Sequence, residues 1–308
     1  MAVYKTEVLI IGGGLAGIVA ALELVEKKVS VLLLDRDSKE NFGGLAPWAF
    51  GGMALVGTPL QKRAGVHDTP EIALSDWLSF AEFSGEDFWP RKWAEIYVHR
   101  SLPDVYHWLK DRGLRFFPAV NWVERGEYGS GNSLPRYHFV WGTGYELTRK
   151  LVARLKQPEN QKYLTIKYDH NVTALRQSDN RIRGCEGVLQ DNTEAFEVEA
   201  GKTIVATGGL NGDLERVKKE WMNSWGKPPE LMLNGSHPYA DGRMHDEVNR
   251  VGGKLTHLDR MWNYAAGVHH PQARFPDHGI SLVPPKSALW LDSHGKRIGP
   301  RPLVTGFD

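Results

Sequence analysis

The feature that most limits the possible fold is a glycine pattern near the amino terminus. Gly12, Gly14 and Gly17 stand in the order Gly-x-Gly-x-x-Gly between a short apolar run and an amphipathic run. The first glycine permits a sharp turn, the second lets the backbone approach a pyrophosphate, and the third lets a helix pack closely against a strand. The next apolar run ends at Asp35, at the spacing where a carboxylate accepts hydrogen bonds from a ribose diol. The pattern therefore predicts a βαβ unit that binds a dinucleotide, with the pyrophosphate at the helix amino terminus.

The segments around the glycines have the periodicities that this unit needs. Thr6 to Ile11 is short and β-branched, as in a buried parallel strand, and Val29 to Leu34 repeats that character. Between them, one helical face is formed by Leu15, Ile18, Val19 and Leu22. Asp35 would repel a ribose 2′-phosphate, and we interpret Arg36 as a solvated side chain rather than as a selector for NADP.

Composition excludes several classes of protein. The 308 residues include 38 basic and 37 acidic ones, so the charge gives no basis for binding nucleic acid or an anionic membrane surface. Cys185 is the single cysteine of the sequence and cannot form an internal disulfide, which suits a reducing compartment. We find no apolar run of membrane-spanning length and no signal-peptide pattern. We therefore expect a cytoplasmic protein of about two domains, without a membrane span.

Three stretches of distinct character follow the βαβ unit. Residues 36–60 are rich in glycine and small residues, which indicates either a backbone that lies close to a flat or charged ligand or a plain surface loop. Residues 71–112 are mainly helical, with Pro90 and Pro103 each expected near a helix start. Residues 113–141 are dense in aromatic side chains, for which packing in a core or domain interface is favoured over stacking on a ligand.

The later part of the chain changes from helical to strand periodicity. Tyr145 to Leu155 is predicted to be a helix with Thr143 as its cap. From Leu164 onwards the period is two, and the runs LTIKY, NVTALRQ, IRGCEGVLQ and EAFEVE are separated by turn residues, which predicts a small antiparallel meander. The meander ends in the strand Lys202 to Ala206, followed by Thr207-Gly208-Gly209. This ending indicates a second close approach of backbone to the same ligand.

The order of these motifs resembles that of a known family. The segments GGGLAG, LLLD, GGLA, FGGM, IVATGG, YADGRMHDEVNRVGG and LDSHGKRIG are similar to those of the flavoprotein subunits of fumarate reductase, succinate dehydrogenase and 3-ketosteroid dehydrogenases. The aromatic segments WPRKWAEIYVHR, RGLRFFPAVNWVERG and WGTG are closest to the ketosteroid dehydrogenase-like branch. The resemblance implies an α/β fold: a glutathione-reductase-like FAD-binding Rossmann domain with an antiparallel β-meander over residues 1–211, and an α+β cap domain that begins over residues 212–308.

The resemblance also implies the residues that bind FAD. The pyrophosphate would be held by Gly12, Gly13, Gly14, Leu15 and Ala16, the adenosine ribose by Asp35 and Arg36, the ribityl chain and flavin by Gly43, Gly44, Leu45 and Ala46, the adenine by the backbone of Val172, and the nucleotide end by Ala206, Thr207 and Gly208. Respiratory members of the family attach flavin through a histidine in the loop after the second strand. Because residues 36–60 contain no histidine, we expect non-covalent FAD.

The family continues beyond the position of Asp308 with a segment that holds the pyrimidine edge of the flavin. We therefore expect the FAD site to be completed by a missing C-terminal segment or by a partner chain. The segment Arg243 to Val251 is expected to be a cap-domain helix that faces the flavin from the substrate side. His269 and His270 are adjacent, but without cysteine or carboxylates at ligand spacing we expect no metal site.

The resemblance leads to a functional hypothesis. We expect an FAD-dependent dehydrogenase or reductase that acts on a carbon–carbon bond next to a carbonyl in a small, hydrophobic, steroid-like substrate, with an electron acceptor that the sequence does not identify. The candidate catalytic residues are Tyr264, His269 and Arg297, each of which could instead be an ordinary interface residue. Two alternatives stay open: a flavin monooxygenase, and a non-catalytic nucleotide-binding remnant.

Overall fold

The computed structural model describes residues 1–122, 131–191, 193–264, 267–282 and 291–298. Its strands are β1 (Ala2–Ile11), β2 (Val31–Leu34), β3 (Gly52–Ala54), β4 (Tyr137–Phe139), β5 (Leu164–Lys167), β6 (His170–Ser178), β7 (Arg181–Leu189), β8 (Ala195–Val205), β9 (Gly267–His269) and β10 (Gly279–Ser281). Its α-helices are α1 (Leu15–Val25), α2 (Pro59–Arg63), α3 (Pro70–Phe80), α4 (Phe88–Arg100), α5 (Trp108–Asp111), α6 (Thr143–Leu155), α7 (Pro158–Gln161), α8 (Leu214–Lys219) and α9 (Arg243–Arg250). None of the helices in these ranges is both long and apolar enough to cross a membrane.

The chain divides into two compact units. The first unit comprises Met1–Pro47, Leu151–Asn263 and Gly267–Ser281, and the second comprises the described residues of Trp48–Lys150 with Tyr264, 282 and 291–298. Residues 212–263 belong to the first unit. The division into an FAD-binding domain over residues 1–211 and a substrate-binding cap domain that begins at residue 212 stays a prediction.

The first unit is built on a mostly parallel six-stranded sheet in the order β5-β2-β1-β8-β7-β6. β1 pairs in parallel with both β2 and β8, and β2 pairs in parallel with β5. All four residues of β2 are buried, as expected for a strand covered on both faces. This mixed α/β arrangement confirms the predicted βαβ unit β1-α1-β2.

The meander differs from its prediction in two respects. The run that starts at Leu164 is not its first strand: β5 lies at the far edge of the sheet and is parallel to β2. The antiparallel strands are β6, β7 and β8. Moreover, Lys202 to Val205 is not a separate strand, because β8 continues from the meander into the parallel sheet and pairs with β1 as far as Val205. Periodicity shows that a segment is extended but not which neighbour it pairs with.

Helix α9 lies against the edge strand β6 of the first unit. The backbone N–H of Leu175 donates to Glu247 Oε2 at 2.9 Å, and Arg250 donates to the Leu175 carbonyl at 2.7 Å. Met244 joins the hydrophobic core cluster of the sheet. These side chains satisfy backbone groups that an edge strand would otherwise expose. The helix predicted from Arg243 to Val251 therefore exists as Arg243–Arg250, and it packs on the sheet of the first unit.

The second unit contains the predicted helical region. Thr69 caps α3 through the N–H of Ile72, and α4 contains Pro90 as its third residue, in agreement with its expected position near a helix start. Pro103 differs from expectation, since it lies inside a continuous helical run, in a π-helical segment, Ser101–His107, between α4 and α5. A wider helical turn accommodates a residue that has no N–H to donate.

A buried ionic network crosses the second unit. The Nε and Nη2 groups of Arg136 donate to the two carboxylate oxygens of Asp68, each at 2.8 Å. Its Nη1 group donates to Asp76 Oδ2 at 2.6 Å. Gln61 donates to the same Asp68 at 2.9 Å. The side chain of Arg136 is 3% exposed and that of Asp68 is fully buried. Because every partner is paired, the network avoids the large desolvation penalty of an isolated buried charge.

Candidate functional site

A cavity of about 560 Å³ opens in the first unit at the carboxyl ends of three parallel strands. The final residues of β1, β2 and β8, which are Ile11, Leu34 and Val205, all line it. Ligands of doubly wound α/β proteins bind at this edge of the sheet, and the volume lies within the usual range for small-molecule sites. The cavity is therefore the candidate binding site.

The glycine-rich turn between β1 and α1 forms one wall of the cavity. Gly12 has a φ of +106°, and a Cβ placed on it would lie 2.5 Å from the carbonyl oxygen of Ala206. A Cβ on Gly17 would overlap the Gly12 carbonyl oxygen. A Cβ on Gly14, by contrast, would meet no atom within 4 Å. Gly12 and Gly17 are thus required by the protein's own packing, whereas the space beside Gly14 is open to a ligand.

Helix α1 begins at this turn without a capping side chain. Gly14 is its N-cap residue, no side-chain hydrogen bond reaches the N-cap, and Gly14, Leu15 and Ala16 line the cavity. The first N–H groups of a helix lack intrahelical partners and carry a partial positive charge. This end of α1 is thus suited to a phosphate group, as the glycine pattern predicted.

Asp35 follows β2 and lines the cavity beside the glycine-rich turn. Its Oδ2 accepts a hydrogen bond from the Gly13 N–H at 2.6 Å, and its Oδ1 accepts from the Asp37 N–H at 2.7 Å. Burial raises the pKa of the Asp35 carboxyl, and the hydrogen bonds from Asp37 and Gly13 offset part of that rise. Each carboxylate oxygen keeps a further lone pair, so Asp35 is able to accept hydrogen bonds from a ribose diol.

The segment after β2 passes close to the glycine-rich turn. Gly44 has a φ of +64°, and a Cβ on it would lie 3.1 Å from the Cα of Gly14. Gly44, Leu45 and Ala46 line the cavity, while Gly43 is buried and is not part of the lining. The glycines of this segment therefore allow close approach of two backbones. For the part up to Pro47, this favours a backbone that lies close to a ligand over a plain surface loop.

The remaining expected contacts come from the meander and from the end of β8. Val172 lines the cavity from β6, next to a shift of register between Val172 and Ala174. Ala206, Thr207 and Gly208 line it directly after β8. Of the predicted cofactor-binding residues, all except Gly43 thus lie around one cavity. Their individual contacts to FAD stay predictions.

One wall of the cavity was predicted only in part. Its residues 243–245 belong to the helix that was expected to face the flavin, whereas the preceding residues 236–242, of which all but Pro238 line the cavity, were not predicted. Gly242 has a φ of +76° and precedes α9, so the amino terminus of a second helix faces the cavity. Arg36 is not a solvated side chain as expected, because it forms an ion pair with Asp241 at 2.8 Å.

The three predicted catalytic residues belong to different parts of the structure. Tyr264 and Arg297 are in the second unit, where Arg297 forms an isolated bridge with Leu291. His269 is exposed on β9 of the first unit, outside the lining of the cavity. Burial raises the pKa of the Tyr264 phenol. Their catalytic roles stay predictions. The described residues contain no group of three or more histidine, cysteine or acidic side chains that could hold a metal ion.

Comparison with known proteins agrees with this geometry. A family model described as "FAD binding domain" matches residues 7–303. A KsdD-like steroid dehydrogenase of Mycobacterium tuberculosis is 40% identical over 98% of this chain and 56% of its own length. A fumarate reductase of Schizosaccharomyces pombe is 27% identical over 98% of this chain and 58% of its own length. The chain thus spans a little over half the length of these relatives.

A solved structure shares the fold. The crystal structure of 3-ketosteroid-Δ4-(5α)-dehydrogenase from Rhodococcus jostii RHA1 matches with a TM-score of 0.66 and 24% identity, and the match covers 83% of this chain and 56% of that chain. At this identity the match supports the architecture of the mostly parallel sheet.

Proposed function

Because the chain belongs to the family of the FAD binding domain, we propose that it binds FAD in the cavity at the ends of β1, β2 and β8 and acts in an oxidoreductase. Membership of this family confirms the predicted resemblance and the predicted cofactor. The reaction we propose is the formation or saturation of a carbon–carbon double bond next to a carbonyl. The observation that carries the binding proposal is Gly14, whose bare backbone faces open space at the uncapped end of α1.

The residues around the cavity fit FAD in several ways. The amides at the start of α1 would hold the pyrophosphate, and Asp35 would orient the adenosine ribose. The small residues Gly44 and Ala46 would allow the ribityl chain to pass close to the backbone. We further propose non-covalent binding and a glutathione-reductase-like arrangement, which the parallel sheet and the β6-β7-β8 meander support.

The proposed substrate is a hydrophobic molecule that resembles a steroid. The KsdD-like steroid dehydrogenase of M. tuberculosis, at 40% identity, is named for a steroid, and the S. pombe fumarate reductase for a small dicarboxylate. What the two substrate classes share is a carbon–carbon bond adjacent to a carbonyl. We favour the steroid class because the more similar relative belongs to it. The comparisons lend no support to a flavin monooxygenase or to a non-catalytic remnant.

The proposed chemistry needs groups that hold and move protons. When bound, FAD supplies a two-electron acceptor or donor for the substrate carbon. We assign Tyr264 as a hydrogen-bond donor to the substrate carbonyl, since its raised pKa keeps the phenol protonated. His269 would exchange the proton with the neighbouring carbon, because an imidazole nitrogen can either accept or donate a proton. Arg297 would stabilise the negative charge that develops on the carbonyl oxygen.

The binding proposal can be tested on the purified full chain. Added FAD is expected to give a protein-bound flavin spectrum, and acid precipitation is expected to release the flavin into the supernatant. Covalent flavin would instead remain with the precipitate. A colourless protein that takes up no FAD would contradict the proposal and favour the alternative of a non-catalytic remnant.

The proposed reaction has a separate test. With FAD bound and oxygen excluded, a 3-ketosteroid is expected to bleach the flavin, and an artificial electron acceptor is expected to restore its colour. Tyr264→Phe, His269→Ala and Arg297→Ala should each lower turnover. Wild-type turnover in all three variants would show that the catalytic assignment is wrong. Oxidation of NADPH coupled to oxygen uptake would indicate the monooxygenase instead.

A further inference from the structure

The cavity has a wall that the resemblance did not assign, which we call the strap (residues 236–242). It lies between α8 and α9, and all its residues except Pro238 line the cavity. Its backbone is joined to the chain after β8, since the Gly212 N–H donates to the Ala240 carbonyl at 2.9 Å. The tip of β2, where Asp35 and Arg36 lie, is another part of the cavity lining. The strap and this tip are two of the walls of the cavity.

Arg36 joins these two walls through one side chain. Its terminal nitrogen donates to Asp241 Oδ2 at 2.8 Å, and its guanidinium carbon lies 4.3 Å from the centre of the Tyr239 ring. Its Nε donates to Gln190 Oε1 at 3.3 Å, and the amide of the same Gln190 donates to the Tyr239 hydroxyl at 3.2 Å. The side chains of Arg36 and Asp241 are 22% and 17% exposed, so water screens this ion pair incompletely.

A second contact joins the same walls. His237 Nε2 lies 3.2 Å from Asp37 Oδ2, and His237 Nδ1 accepts the Tyr239 N–H at 3.3 Å. In the neutral imidazole one nitrogen donates and the other accepts, so both contacts can form at the same time. The strap is thus held to the end of β2 at two points, one on each side of Tyr239.

We infer that Arg36 is the anchor of the strap rather than a ligand of the cofactor, and that the anchored strap retains the adenosine half of FAD. The inference rests on the proposed FAD binding. The positive charge of Arg36 is neutralised by Asp241, and its ring face and Nε are engaged by Tyr239 and Gln190. We expect release of the adenosine to involve movement of the strap away from the tip of β2, and the ion pair opposes that movement.

Arg36→Met tests the anchor because methionine keeps the apolar contact with Tyr239 and removes the charge. We expect FAD to dissociate about fivefold faster, a factor that corresponds to about 1 kcal/mol. Asp241→Asn should have a similar effect, and the double variant should release FAD no faster than either single variant, because both remove the same contact. Arg36→Lys should restore most of the retention, since its ammonium can still pair with Asp241.

Arg154 provides the control. It belongs to the same unit and forms an ion pair with Glu26 at 3.3 Å, but it is not part of the cavity lining. Arg154→Met should therefore leave the rate of FAD dissociation at the wild-type value. Equal rates for wild type and Arg36→Met, or equal acceleration by both methionine variants, would overturn the inference.

A measurement without FAD separates this inference from the proposed function. Hydrogen exchange in the full chain is expected to be faster at the Tyr239 and Ala240 amides in Arg36→Met than in wild type or Arg154→Met. Unchanged exchange at these amides would refute the anchor whether or not FAD binds. Faster exchange in a chain that takes up no FAD would support the anchor and refute FAD retention together with the proposed binding.

Discussion

Gly14 allows the requirements of folding to be separated from those of FAD binding. Its φ of −71° and ψ of −178° are available to any residue, and an added Cβ would meet no atom within 4 Å. Gly14→Ala should therefore cause no clash in the protein without FAD. The new methyl group would instead lie in the open space beside the amides that would hold the pyrophosphate.

The expected effect on folding is small. Alanine is a poorer N-cap residue than glycine, which costs a few tenths to about 1 kcal/mol. Alanine also reduces the freedom of the unfolded chain, which stabilises the fold by about 0.4–1 kcal/mol where the backbone is compatible. The two effects nearly cancel, so the free energy of unfolding should change by less than about 0.5 kcal/mol.

The expected effect on binding is larger. Forcing an extra methyl group into a closely packed contact costs about 1–3 kcal/mol. The Kd for FAD should therefore rise by about 5- to 150-fold. The assay is a titration of flavin-free protein with FAD, followed by flavin fluorescence, together with thermal unfolding of the same flavin-free samples.

Gly85→Ala is the matched control. Gly85 is in the second unit, and a Cβ on it would also meet nothing within 4 Å. It should leave the Kd for FAD unchanged, and it should stabilise the fold by no more than about 1 kcal/mol, because alanine reduces the freedom of the unfolded chain. A wild-type Kd in Gly14→Ala would refute the reasoning that the pyrophosphate lies against this glycine. A large loss of stability in flavin-free Gly14→Ala would refute the open geometry itself.

Further predictions concern packing within each unit. Gly17→Ala should destabilise the flavin-free chain by about 1–3 kcal/mol, because the methyl group would overlap the backbone of the glycine-rich turn; urea unfolding measures this. Arg136→Met should lower the free energy of unfolding by about 3–5 kcal/mol in the same assay, because it leaves the buried Asp68 carboxylate without its main partner. Arg149→Met removes an exposed ion pair and should leave the unfolding midpoint almost unchanged. Burial raises the pKa of the Cys185 thiol to about 12, so a thiol reagent at pH 8 should react after unfolding and not before; rapid labelling of the native chain would contradict the buried position.

The βαβ unit β1-α1-β2 could be predicted from the sequence because the residues that determine it are close together along the chain. The turn of Gly12, Gly14 and Gly17, the face of α1 and the carboxylate of Asp35 lie within about thirty consecutive residues, and each follows from backbone sterics or periodicity. The helices of residues 71–112 were predictable for the same reason. A short range of sequence determines these elements whatever the rest of the chain does.

The tertiary structure decided which strands pair with each other and which residues enclose the cavity. The period-two run at Leu164 indicates an extended segment, but its place beside β2, far from the meander, depends on which buried faces meet. Arg36 and Asp241 are 205 positions apart, so no local pattern could show that the arginine is paired rather than solvated. The sequence by itself determined the glycine-rich turn, the helix that follows it and the position of the Asp35 carboxylate directly after β2. The folded chain determined the second wall of the cavity, because ion pairs and packing depend on distances in space that spacing along the chain does not contain.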